Sequence, residues 1–247
     1  MAESARSVVG AVTERLLDTL DVKEVQGEGG GPLQTFVAQM DPVAGDVIGD
    51  LRLYRGEVTV VTTSMASPLL GLDTHQVTVF TAPDSVVPHL TVDAALAPTQ
   101  NGEHHVGADL LGRVDLPANP GYLDVVYRPL SAALDAATAD ERLRPATGLD
   151  PVRKALRSPW LFAAYLDEPD LPAAMPVTDA YVDHWLALFR DGVADYEPDL
   201  DAAALADRDR RFRATLFALE TNPLWGLVDR LLGASSGAAI RDVLATA

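Results

Sequence analysis

The chain has 247 residues, 48% of them hydrophobic, and 36 acidic against 19 basic side chains give a formal charge of −17. That length and apolar content suffice for a sizeable buried core, while the acidity excludes nucleic acid as a natural partner, because phosphate binding needs a clustered basic face, and disfavours an anionic membrane. The chain contains no cysteine, which rules out disulfides, thiolate metal sites, iron–sulfur clusters and a cysteine nucleophile. No stretch approaches the roughly 20 apolar residues of a membrane span, and the N-terminus lacks the basic, apolar, small-residue order of a signal peptide. A cytoplasmic location is expected.

Val8, Val9, Val12, Leu16 and Leu17 recur at three- and four-residue spacing and predict a first helix over Ser4–Leu20. The glycine-rich run from Gly27 to Pro32 breaks it. Six β-rich runs follow with short connections: Leu33–Met40, Val47–Tyr54, Glu57–Ala66, Gln76–Thr81, Pro88–Leu96 and His104–Val114. Successive strands without intervening helices predict an antiparallel meander, with Arg55-Gly56 joining two of them as a hairpin. After Pro117 the pattern turns helical. Asn119-Pro120 and Asp150-Pro151 read as caps followed by a first-turn proline. Further helices are expected from near Thr178, with Tyr181, Trp185, Leu188 and Phe189 on one face, and from Asp201 to about Thr221, with breaks at Pro223 and Gly233. Helix, meander, then helices gives an α+β fold, a six-stranded antiparallel sheet sandwiched between helices, in one domain over 1–247.

Several apparent motifs carry no chemistry. The glycines 27 and 29–31 lead into Pro32 and a strand, whereas a phosphate loop must open into a helix. His104 and His105, adjacent on a strand, point to opposite faces and cannot share a metal. His184 reads as a satisfied boundary histidine, and no Gly-x-Ser-x-Gly elbow is present.

Two constellations remain. In Pro88-His89-Leu90-Thr91-Val92-Asp93, alternation puts His89, Thr91 and Asp93 on one sheet face and Leu90 and Val92 on the other. An ionisable pair on a face that helices should cover is either a polar sheet edge or reserved for a ligand. The second is the helix with Arg208, Arg210, Arg211 and Arg213, which could hold an anionic group through guanidinium forks. It reads equally as a solvated face paired with Asp207 and Asp209. Glu220, among apolar residues at the end of that helix, is an unusual place for an acid.

Three segments within residues 88–245 resemble the red chlorophyll catabolite reductase branch of the ferredoxin-dependent bilin reductases. Pro88-His89-Leu90 through Asp93 is similar to the family's Pro-His-Leu strand ending in a functional acid. Asp115-Leu116-Pro117 with Pro120-Gly121-Tyr122-Leu123 resembles its Asp-Leu-Pro exit and later Pro-x-Tyr-Leu, at shorter spacing. Arg208-Asp209-Arg210 resembles its Arg-Asp-Arg helix, with Glu220 at the position of the second functional acid. Both acid positions carry the other acidic residue from the plant pattern.

The resemblance implies an enzyme that reduces an open-chain tetrapyrrole held between sheet and C-terminal helices. It implies no bound flavin or nicotinamide, with ferredoxin delivering single electrons, and a homodimer is compatible with it. Asp93 and Glu220 would be the catalytic acids, a desolvated Asp93 with elevated pKa giving the first proton. His89, Thr91, Arg208, Arg210, Arg211 and Arg213 would bind substrate, the arginines at its propionates. An acidic ferredoxin would need a local basic patch on so negative a protein, from Arg142, Arg144, Arg153, Lys154 and Arg157 or the arginine helix. The alternative is a tetrapyrrole carrier that keeps the pocket without reduction.

Overall fold

The computed structural model of the protein describes residues 5–96, 103–146, 150–193, 196 and 200–247. Helix α1 (Ala5–Thr19) is followed by strands β1 (Val22–Val25), β2 (Gln34–Val37), β3 (Val47–Gly56), β4 (Thr59–Ser67), β5 (Leu72–Phe80), β6 (His89–Leu96) and β7 (His104–Leu111). Next come a short helix α2 (Pro120–Tyr122), which runs on through π-helical and 3-10 turns into α3 (Ser131–Ala139), then β8 (Arg144–Pro145), α4 (Pro151–Ala155) and β9 (Phe162–Leu166). Helices α5 (Met175–Asp191), α6 (Ala202–Leu216), α7 (Leu224–Leu232) and α8 (Ala234–Thr246) complete the chain.

All nine strands form one antiparallel sheet in the order β1-β3-β4-β5-β6-β7-β9-β8, with β2 pairing to β3. The six predicted runs are β2 to β7, so the α+β sandwich stands and the strand count is corrected from six to nine. The three additional strands are short. β9, Phe-Ala-Ala-Tyr-Leu, carries two alanines and stands within helical territory, so neither alternation nor β-branching marked it. Ser4, the predicted start of α1, lies outside the described residues. Asp150 caps α4 as its sequence implied, accepting from the amides of Val152 and Arg153. Asn119 does not cap α2; its amide donates to the Asp115 carbonyl instead. Gly29, Gly30 and Gly31 all take positive φ, which is why this turn is glycine-rich.

Alternation along the central strands builds two unlike faces. Val60, Val77, Val79, Leu90, Val92, Val106 and Leu110 pack under α1 and α5 in a continuous apolar core. There the indole of Trp185 donates to the Pro88 carbonyl at 2.7 Å, tying α5 to the start of β6. On the opposite face Leu51, Leu53, Val61, Phe80 and Leu111 are covered by Leu216, Phe217, Leu231, Leu232, Ile240 and Leu244 from α6, its C-terminal end, α7 and α8. That apolar cover is confined to one end of the sheet.

An ion cluster fixes the position of α6 over this end. Asp209 accepts from His89 Nε2 at 2.7 Å and Arg113 Nη1 at 2.6 Å, and Arg213 Nη1 stands 3.8 Å away. His89, Arg113, Asp209 and Arg213 are all buried. The amide of Thr81 donates to His89 Nδ1 at 3.1 Å, so the neutral imidazole carries its proton on Nε2, facing the carboxylate. Arg113 also donates to the Pro83 carbonyl at 2.6 Å, and Arg213 donates to the Leu244 carbonyl at 2.8 Å while its guanidinium stacks over Phe80 at 3.8 Å. The cluster thereby joins sheet, loop, α6 and α8. Removing its one carboxylate strands two buried guanidinium groups. Asp209→Ala should cost about 3–5 kcal/mol in urea unfolding; a loss below about 1 kcal/mol would show that α6 is held by its apolar contacts alone.

Candidate functional site

Beyond the apolar end, the same sheet face is polar. Gln76 and Thr78 on β5, Thr91 and Asp93 on β6, and His105 and Asp109 on β7 all point to it, because Gln76 pairs across from Asp93, Asp93 from Gly107, and Thr91 from both Thr78 and Asp109. Gln76 donates to Thr78 Oγ1 at 2.9 Å and reaches Thr91 Oγ1 at 3.4 Å, which satisfies the buried hydroxyls.

Asp93 and His105 form a carboxylate–imidazole pair on this surface. Oδ2 of Asp93 lies 3.0 Å from Nδ1 of His105, and 33% of the Asp93 side chain and 26% of that of His105 stay accessible. The other carboxylate oxygen, Oδ1, lies over Gly107, where a Cβ would sit 2.9 Å from it and 3.2 Å from His105 Cε1. Glycine at this position is what lets the pair lie along the sheet. Tyr165 on β9 packs edge-on to the imidazole at 5.7 Å. Burial pushes the Asp93 carboxyl up, but His105, Arg157 and Arg153 outweigh it and hold the group below the ordinary carboxylate range. Asp93 therefore rests as a carboxylate, and the elevated pKa expected of it is corrected: three nearby cationic or hydrogen-bonding groups overcome desolvation.

On the same strand as His105, four residues further along β7, Asp109 is completely buried and accepts from Ser158 Oγ at 2.6 Å and Ser158 N at 3.2 Å. Burial pushes its carboxyl up to about 6, against the pull of Arg157 and Ser158.

Two adjoining hollows flank this region. A groove of about 520 Å³ is lined by Leu156, Ala204, Arg208, Arg211, Phe212 and Thr215. One of about 280 Å³ shares Leu156, Arg208 and Phe212 with it and adds Arg157 and Ser158. Asp93 lines neither; Arg157, which lines the second, is the residue whose charge reaches it.

The predicted site residues are not all brought together. Thr91 and Asp93 lie on the polar face, but His89, one turn of the alternation earlier, is sealed in the ion cluster with Asp209 and is withdrawn from any ligand. Glu220 is exposed in the turn after α6, and the partner of Asp93 is His105 in its place. Of the arginines, Arg213 is buried against Phe80 and α8, and Arg210 and Arg211 both pair with Asp207 on the surface. Arg208 donates to the carbonyls of Gly112 and Val114 while lining both hollows. His105 was missed because its relation to Asp93 depends on the β6–β7 register, which no local pattern fixes.

No protein-family model and no curated protein sequence matches the chain. Among solved structures, it is similar to phytochromobilin synthase from tomato in complex with biliverdin, with a TM-score of 0.62 and 15% identity over 98% of this chain and 81% of that one. The likeness shows a shared fold and does not single out the red chlorophyll catabolite reductase branch.

Two outcomes follow from the geometry. Gly107→Ala should cost about 1–3 kcal/mol of stability and push Asp93 and His105 apart, moving the ring-nitrogen resonances of His105 to those of an unpaired imidazole; unchanged resonances would mean the added methyl is accommodated elsewhere. The second concerns acid. Burial in a cluster with two arginines lowers His89 to about 4, so the unfolded chain, titrating near 6.5, binds a proton first. Stability present above pH 6.5 is then lost as the pH falls through about 4, by roughly 3 kcal/mol. Asp109, raised to about 6, acts in the opposite sense over pH 6 to 4. Between pH 6.5 and 4, stability should therefore fall more steeply in the wild type than in His89→Gln and more steeply still in Asp109→Asn. Parallel curves for all three would contradict both assignments.

Proposed function

We propose that the protein reduces a linear tetrapyrrole of the bilin type, bound over the polar sheet face, using single electrons from an external donor such as ferredoxin. The observation that carries this reading is the Asp93–His105 pair: a carboxylate and an imidazole 3.0 Å apart, partly open to water, on the floor of a sheet surrounded by cations. The fold shared with a biliverdin-bound reductase supports the substrate class.

Reducing one double bond of such a pigment takes two electrons and two protons. Each electron added to the conjugated system raises its basicity, so a proton shared between His105 and Asp93 passes to the pigment when negative charge develops above the pair. The resting Asp93 carboxylate, 3.0 Å from Nδ1 of His105, orients the ring, which makes His105 the proton carrier and Asp93 its positioning partner. Solvent access to both side chains allows the pair to be recharged. Propionate groups of the pigment would meet Arg157 and Arg208, which face the hollows, rather than Arg210 or Arg213.

The donor would dock beside α4. Arg142 pairs with Asp140, and Arg144 with Glu103 and Asp167. Among the described residues Arg153 and Lys154 have no carboxylate within ion-pair distance, so this segment presents positive charge next to the site.

The test is an anaerobic titration with biliverdin followed by addition of reduced ferredoxin, comparing wild type with Asp93→Asn and His105→Gln. Pigment binding by all three, with bleaching slowed about 10²–10⁴-fold in the variants, is expected. Binding without turnover in the wild type would favour a tetrapyrrole carrier, and no spectral change would overturn the substrate class.

A further inference from the structure

β9 carries the polar face of the sheet one strand beyond β7. Phe162, Ala164 and Leu166 enter the core under α1 and α5, so Ala163 and Tyr165 turn to the other face, opposite Gly107 and His105. Tyr165 is half-buried, and its ring packs against the His105 imidazole at 5.7 Å with the planes inclined by 64°. The hydroxyls of Tyr122, Tyr127, Tyr181 and Tyr196 each donate to an oxygen of another segment. That of Tyr165 has no partner among the described residues, and neither has Nε2 of His105, whose Nδ1 faces Asp93. Arg144, across from Tyr165 on β8, is taken by Glu103 and Asp167. On the β5 side Gln76, Thr78 and Thr91 bond one another. The hydrogen-bonding capacity left for a ligand around the pair therefore lies at Asp93, His105 and Tyr165. Water satisfies an exposed phenol, but a pigment laid over His105 would displace that water and leave the hydroxyl unbonded unless the pigment itself offers an acceptor.

We propose that Tyr165 binds the lactam end of the pigment: its hydroxyl donates to an end-ring carbonyl oxygen, and its ring holds the His105 imidazole beside that end. The proposal rests on reading the protein as a bilin reductase whose pigment lies over the Asp93–His105 pair. The hollow lined by Arg157 and Arg208 also takes in Gly112 and Val114, just past the C-terminal end of β7 at Leu111. His105 and Tyr165 stand at the opposite end of that strand, and even Asp109, near its exit, is roughly 13 Å from His105 along an extended chain. With propionates at the arginines, a folded linear tetrapyrrole turns its lactam carbonyls the other way, because the two kinds of group occupy opposite edges of the pigment. The lactam edge then meets His105 and Tyr165.

The test compares wild type, Tyr165→Phe and Tyr165→Leu in equilibrium binding of biliverdin and of biliverdin dimethyl ester, whose propionates are blocked, and in anaerobic bleaching by reduced ferredoxin at saturating biliverdin. Tyr165→Phe keeps the ring; it should weaken binding of both pigments by about five- to tenfold and leave bleaching at saturation within about twofold of wild type. Tyr165→Leu should show the same loss of binding and, with the imidazole no longer held, bleach about tenfold more slowly. Binding by Tyr165→Phe equal to that of wild type would overturn the lactam contact. So would a penalty that vanishes with the dimethyl ester, which would mean that the hydroxyl meets a propionate. Bleaching by Tyr165→Leu at the wild-type rate would overturn the positioning of His105. A wild type that neither binds nor bleaches biliverdin sinks the functional reading and this inference with it, whereas an active wild type with indifferent variants removes the inference alone.

Discussion

One carboxylate decides how the C-terminal helices meet the sheet. Asp209 is buried among His89, Arg113 and Arg213, and each of those partners is tied to a different element: His89 to β6, Arg113 to the exit of β7 and the carbonyl of Pro83, Arg213 to the end of α8. Such a cluster contributes little net stability over an apolar substitute, but breaking it is costly, and it admits one placement of α6 where an apolar contact would admit several. The helix is held at the Phe80–Leu111 end. The other end of that face is left without an apolar cover.

That polar face explains the rest of the site. A sheet that buried both faces equally would place valine or leucine where Thr78, Thr91, Asp93 and Asp109 stand. Their presence costs desolvation energy unless the groups are mutually bonded or reserved for a polar ligand. Thr78, Thr91 and Gln76 satisfy one another. Asp93 and His105 satisfy one another only in part and remain wet, lying over Gly107. His105, Arg157 and Arg153 together keep the Asp93 carboxyl below the ordinary range, so an otherwise acidic protein keeps a local basic environment beside this carboxylate.

Much of this was legible from local pattern. The alternation over 88–93 correctly put Thr91 and Asp93 on one face, the Asp150 cap and the breaks at Pro223 and Gly233 bounded their helices, and the meander was readable because β3 to β7 each run eight to ten residues. What local pattern could not supply was contact between distant elements. The same alternation that located Asp93 also proposed His89 as a ligand, when its partner 120 residues away buries it. The arginine helix drew attention for its charge, yet two of its guanidinium groups, Arg208 and Arg213, hold backbone carbonyls of other elements. His105 carries no motif; only the β6–β7 register brings it to Asp93. Glu220 matched a family position in sequence, and its exposure in the turn after α6 shows that a matching acid in a linear motif does not fix its place in space.

The central claim is that a tetrapyrrole lies on the polar sheet face over Asp93 and His105. A crystal structure of the protein with biliverdin bound anaerobically addresses it without relying on turnover. The pigment should be found within hydrogen-bond distance of the Asp93–His105 pair, with a propionate toward Arg157. A pigment seated in the outer groove beside Arg211 and Thr215, with Asp93 untouched, would refute it.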